Sequence, residues 1–167
     1  AEFLHRVYTN NFASLGVGRC RYGLMLKQDG MVFDDGVTTR LGEQHFLMST
    51  TTGGAARVLA WLEEWLQTEW PQLRVHCTSV TEQWAVASIC GANARALLAE
   101  LCAGIALDDA SFPFMSVREG TVAGIPARVF RISFTGDLGY EVAVPARHGL
   151  ALWEALMSAG ARHGIVP

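Results

Sequence analysis

Charge is scarce in this chain. Of its 167 residues only 17% are Asp, Glu, Lys or Arg, and the 13 basic ones are scattered without forming a cluster. With a formal charge of −3, that distribution argues against a face for nucleic acid. Long apolar runs are also missing: each is broken well short of the roughly 18 residues a membrane helix needs, so no membrane partner is expected. The four cysteines, Cys20, Cys77, Cys90 and Cys102, make no C-x-x-C pair, and the histidines His5, His45, His76, His148 and His163 are dispersed rather than set at ligand spacing. No metal site is therefore expected, and the cysteines read as buried free thiols of a cytoplasmic protein. There is no G-x-G-x-x-G dinucleotide fingerprint. Gly53-Gly54 lacks the lysine and spacing of a phosphate loop and reads as the turn that opens a helix. No repeat, low-complexity tract or linker divides the chain, and its length suits one domain. No leader pattern stands at Ala1, and the chain starts without Met, as a processed or excised piece would.

What is present is core material. Half of the residues are hydrophobic, and five tryptophans offer large areas for burial. Residues 1–19 carry little pattern. Residues 22–28 and 31–40 suit two strands joined at Asp29-Gly30, a tight hairpin turn whose two central residues need positive φ. A third strand is expected over 45–51. The clearest helix is 55–69, where Val58, Trp61, Leu62, Trp65 and Leu66 recur at helical spacing. Thr51 and Thr52 are placed to cap it, and Pro71 to stop it. Further strands are expected over 73–82, 84–90, 115–120, 125–135 and 140–144. A short helix runs to Cys102 with Leu97, Leu98 and Leu101 inward, and a last helix spans 147–163 with Leu150, Trp153, Leu156 and Met157 as its stripe. Hairpins dominate this order, which gives an α+β fold of mainly antiparallel sheets covered by helices.

Three carboxylates stand out. Asp34 and Asp35, taken alone, are an ordinary turn or strand-edge pair. Phe33 and Val37 bracket them, so an alternating strand sends one Asp to each face and turns one towards packed structure. Glu141 follows Gly136 and Gly139, which let the backbone turn sharply and approach a ligand closely; taken alone, it is the exposed end of a glycine-rich hairpin. Tyr140 reads as core, as aromatic residues in strands usually do.

Two segments carry a resemblance. Thr135-Gly136-Asp137-Leu138-Gly139-Tyr140-Glu141 resembles the "TGxxGYE" segment of the aminomethyltransferase-like folate-binding family. Residues 21–36, with Tyr22, Met25-Leu26, Gly30 and Asp34-Asp35, resemble its "Y..ML…G…DD" segment. The family includes the T-protein of glycine cleavage and the folate domains of sarcosine and dimethylglycine oxidoreductases. The likeness leans towards the C-terminal, folate-binding part of the alpha subunit of heterotetrameric sarcosine oxidase. It implies a fragment of the aminomethyltransferase folate-binding fold: residues 1–167 as a partial module, truncated at both ends and without the downstream arginine that helps bind the cofactor. It implies tetrahydrofolate as cofactor, flavin and NAD in other parts of the complex, and other sarcosine oxidase subunits as partners. It implies Asp35 as the catalytic carboxylate, since related oxidoreductases keep only the second acidic position. Glu141 would hold the pterin, and Asp34, Tyr22 and Tyr140 would be further cofactor contacts. The alternatives are a glycine cleavage aminomethyltransferase and a non-catalytic assembly or folate-binding module. Asp137 stands where T-proteins carry Glu, and Gly91-Ala92 where they carry Gly-Pro.

Overall fold

The computed structural model describes residues 1–167, and contacts divide the chain into two compact units, Ala1–Ser79 and Val80–Pro167. Both are built from antiparallel strands and helices, as the α+β reading required. No helix is long and apolar enough to cross a membrane.

The first unit opens with a helix that the sequence pattern did not reveal, α1 (Glu2–Val7). Six residues are too few for a helical period to show, but Phe3, Leu4 and Val7 are all buried. Strands β1 (Cys20–Leu26), β2 (Val32–Gly42) and β3 (His45–Met48) follow, paired in the order β1-β2-β3. The β1–β2 turn is looser than expected. Gly30 N–H donates to Lys27 C=O at 3.0 Å, Lys27 N–H to Met31 C=O at 2.8 Å, and only Gly30 takes positive φ, at +81°. The three-residue loop is offset by a bulge opposite Met25 and Leu26, which leaves Leu24 paired with Asp35.

Helix α2 (Ala55–Thr68) buries Val58 and Leu62 and packs Trp61 and Leu66 on the same cluster. The expected threonine caps are not used. Thr51 gives its hydroxyl to Asp34 instead, and a 3-10 turn, Thr52–Gly54, opens the helix through Gly54 N–H to Thr51 C=O. Residues 73–82 form no strand. Their burial does alternate, with Leu73, Val75 and Cys77 packed on the apolar cluster, but no strand lies alongside to complete a ladder. The period reported which side chains face inward, not a backbone pairing.

The second unit is a five-stranded antiparallel sheet, β4 (Trp84–Cys90), β5 (Cys102–Ala103), β6 (Ser116–Val122), β7 (Ile125–Arg131) and β8 (Gly139–Pro145), in the order β4-β8-β7-β6-β5. Helices α3 (Ala94–Leu101) and α4 (Gly149–Gly160) share one core with it, including Leu97, Leu98, Val129, Tyr140, Val142, Val144, Leu152 and Leu156. Each such aliphatic side chain contributes roughly 1.5–3 kcal/mol on burial. The inward stripe of α4 is Leu152, Leu156 and Gly160, whereas Leu150 and Trp153 are 70% and 47% exposed. Small residues set this rotation: a Cβ on Gly149 would lie 2.8 Å from Ala85 Cβ, and one on Gly160 2.5 Å from Ile165. All four cysteines are free; Cys20 is buried, but Cys90 is exposed, contrary to expectation.

Candidate functional site

Alternation along β2 separates the two aspartates. Asp34 is buried on the inner face, opposite Met25, and accepts from both Thr51 N–H (3.1 Å) and the Thr51 hydroxyl. Gly54 lies close by because a Cβ there would stand 2.8 Å from Asp34 Oδ1. Asp34 thus ties β2 to the start of α2, and both its oxygens are engaged within the protein.

Asp35 is half-buried on the other face. Its Oδ2 accepts from the Tyr22 hydroxyl at 2.6 Å, the one hydrogen bond its carboxylate receives. Tyr22 is 48% exposed, and the carboxylate beside it raises the phenol above its ordinary pKa, chiefly through that hydrogen bond. Tyr22, one of the further cofactor contacts that the resemblance implied, has its hydroxyl engaged with Asp35 while its ring stays half-exposed. The register contained the signal. Leu24 pairs with Asp35 and Tyr22 with Val37, so Tyr22 and Asp35 are diagonal neighbours on one face.

Behind this pair, Gly23 pairs directly with Gly36. A Cβ on Gly23 would meet the Tyr8 ring at 2.6 Å, and one on Gly36 would meet the Ser49 carbonyl oxygen at 2.0 Å. Both strands are therefore held close on their inner side, immediately beside Tyr22 and Asp35.

In the second unit the loop 132–138 leads into β8. Gly136 takes φ +88° and its N–H reaches the Ser133 hydroxyl at 3.0 Å. Gly139 is needed for a close approach, though to the chain itself, since its Cβ would lie 2.8 Å from the Ile132 carbonyl oxygen. Tyr140 then points into the core. It is fully enclosed, 5.9 Å from the Phe112 ring, with its hydroxyl accepting from Arg95 Nε at 3.2 Å. Its ring is packed in the core, as its strand position had indicated.

Glu141 points the other way, between Ser88 of β4 and Phe130 of β7. It is half-buried, and burial raises its pKa above the ordinary carboxylate range. No hydrogen bond or ion pair from the protein reaches its carboxylate. The cation on the same face, Arg128, is taken by Glu119 at 2.8 Å and lies 4.6 Å over the Trp84 ring. Glu141 is thus a partly desolvated acceptor with nothing to accept, an arrangement that disfavours its charge until a donor arrives.

The sequence profile described as "GCVT N-terminal domain" matches residues 1–167. The chain is 56% identical over 168 residues to the sarcosine oxidase subunit alpha of Corynebacterium sp. (strain P-1), covering 100% of this chain and 17% of that protein. It is 32% identical over 170 residues to an aminomethyltransferase of Symbiobacterium thermophilum, covering 99% of this chain and 44% of that one. Among solved structures, the glycine cleavage system aminomethyltransferase T of Bartonella henselae matches with a TM-score of 0.74 at 26% identity, over 93% of this chain and 40% of that one.

Proposed function

We propose, since the chain belongs to the GCVT N-terminal domain family, that it is the folate-binding part of a sarcosine oxidase alpha subunit. In this reading sarcosine is oxidised to an imine elsewhere in the whole protein, and this part serves transfer of the imine's one-carbon unit to the two nitrogens of tetrahydrofolate, giving 5,10-methylenetetrahydrofolate as the carbon–nitrogen bond of the imine breaks and glycine leaves. Flavin and NAD belong to other parts of that assembly, with the other sarcosine oxidase subunits as partners in the cytoplasm. Identity of 56% along the whole chain supports the choice of relative.

The observation that carries the reading is Glu141, a half-buried carboxylate without a protein donor at the start of β8. The 2-amino-4-oxo edge of a pterin presents N–H donors side by side, which a carboxylate accepts in a bidentate manner. The fit is chemical: the unmet acceptor is of the type that edge requires. Tetrahydrofolate, when bound, supplies the nitrogens that take up the one-carbon unit. Glu141 orients, so that binding replaces a chance encounter by a held geometry. Asp35 keeps its Oδ1 free of protein donors and serves there as the group that stabilises developing positive charge or moves a proton. Asp34, with both oxygens on Thr51, supports the strand and takes no part in the chemistry.

The second reading, a glycine cleavage aminomethyltransferase, draws on the 32% identity and on the TM-score of 0.74; the higher identity to the oxidase subunit ranks it second. A non-catalytic module is the third.

The test uses the full-length protein. Glu141→Gln removes a charged acceptor worth about 1.5–3 kcal/mol, so folate affinity is expected to fall roughly tenfold to a hundredfold. Asp35→Asn is expected to leave affinity near the parental value while shifting product from methylenetetrahydrofolate to formaldehyde. Sarcosine oxidation should survive both. Equal folate binding by parent and Glu141→Gln would remove the role given to Glu141, and no binding by the parent would leave the non-catalytic module.

A further inference from the structure

We propose that Tyr22 acts through its hydroxyl, as the positioning residue that fixes the Asp35 carboxylate, and not as a ring on which a ligand stacks. The inference rests on the role given to Asp35 above and deepens it.

The geometry is specific. Tyr22 O–H donates to Asp35 Oδ2 at 2.6 Å, and no other side-chain or backbone donor reaches that carboxylate. One oxygen is thereby fixed, and Oδ1 is left for whatever comes to this face. The contrast is one residue away, where Asp34 has both oxygens on Thr51 and none to offer. A lone carboxylate on a strand rotates about its terminal torsion, which has only broad preferences. A single strong donor to an ionised acceptor removes that freedom.

The choice of donor matters as much as its distance. An Arg or Lys in this place would fix the carboxylate but also neutralise its field. A phenol fixes it and leaves the charge in place, and charge is what an acid–base or cation-stabilising group needs. The phenol keeps its proton because the carboxylate beside it makes ionisation harder.

The backbone is arranged for the same end. Tyr22 and Asp35 flank the Gly23–Gly36 rung, and neither glycine has room for a Cβ, against Tyr8 on one strand and Ser49 on the other. The two side chains therefore rise from strand positions that are held on the opposite face, so their meeting is set before any ligand binds.

A stacking role and a positioning role make opposite demands on one substitution. Tyr22→Phe keeps the ring and deletes the hydroxyl. In the full-length protein it is expected to lower the maximal rate of folate-dependent capture by roughly tenfold to a hundredfold, the range for losing a hydrogen bond to a charged group. The KM for tetrahydrofolate should stay within about twofold, and sarcosine oxidation should be unchanged. In an Asp35→Asn background the same change should add little, because the two residues act as one unit. Fluorotyrosine at position 22, which keeps the shape and sharpens the donor, should move the capture rate without moving KM. A silent Tyr22→Phe, or one that raises only KM, overturns the proposal, as does a full additional loss in the Asp35→Asn background. If Asp35→Asn itself leaves product partition unchanged, the role of Asp35 has failed and Tyr22 falls with it. If Asp35→Asn acts and Tyr22→Phe does not, the functional reading stands and this inference alone is lost.

Discussion

Asp35, in the first unit, has a hydroxyl donor at 2.6 Å on a half-exposed face of a three-stranded sheet, whereas Glu141, in the second, sits half-buried in a five-stranded sheet with no donor at all. Each is supported by a glycine that cannot accept a Cβ, Gly36 beside Asp35 and Gly139 two residues before Glu141. Both strands are thus held by a glycine, more tightly at Gly36 than at Gly139, and the carboxylates differ further in their neighbours. A diagonal tyrosine satisfies one carboxylate, while a serine and a phenylalanine flank the other and leave it unmet. A carboxylate held by one oxygen with the other free is suited to chemistry; one desolvated and unmet is suited to receiving donors. The pairing of roles proposed above follows from that contrast.

The largest effect should come from the scaffolds. Gly36→Ala forces a Cβ to within 2.0 Å of the Ser49 carbonyl oxygen, so the first unit should lose about 3 kcal/mol. Gly139→Ala, whose Cβ would stand 2.8 Å from the Ile132 carbonyl oxygen, should cost the second unit less. Urea denaturation of both variants ranks them, and equal midpoints would mean that the two carboxylates are not unequally braced.

Next comes a comparison of adjacent residues. Asp34→Asn replaces two acceptor oxygens by one oxygen and one amide that faces a donor, so a loss of about 2 kcal/mol is expected. Asp35→Asn, on the more open face, should change stability by no more than about 0.5 kcal/mol. Similar losses for both would mean that Asp35 too is a structural group.

The smallest effect tests the unmet carboxylate. Burial raises the pKa of Glu141 above its unfolded value near 4.5, so the folded protein binds the extra proton more readily than the unfolded one. Its charge therefore works against folding above that window, and the penalty disappears as pH falls through the raised value towards 4.5. Glu141→Gln should accordingly raise the melting temperature slightly at pH 7, with the gain vanishing near pH 4, even as it weakens folate binding. A variant that is less stable at pH 7 would show that the carboxylate has a partner.

Much of this was legible. The three strands of the first unit, helix α2 and most of the second unit follow from apolar period and turn residues, and period two alone put Asp34 and Asp35 on opposite faces. Pattern failed where it reported burial without pairing. Residues 73–82 alternate because Leu73, Val75 and Cys77 pack on a core, yet a strand also needs a neighbour with free backbone groups. It failed on α4 because leucines and a tryptophan recur around most of that helix, and the rotation was settled by Gly149 and Gly160 fitting against Ala85 and Ile165.

The sequence by itself determined the antiparallel α+β class, the two motif segments and the identity of the carboxylates, because these depend on residue type and spacing along the chain. Tertiary structure decided what each carboxylate is worth. Thr51 is 17 residues from Asp34 and Tyr22 is 13 from Asp35, and only the folding of strands and helix against one another brings donors across such separations. The same packing enclosed Tyr140 and left Glu141 without a donor, since hydrogen bonding and desolvation act over a few ångströms in space and are blind to distance along the chain.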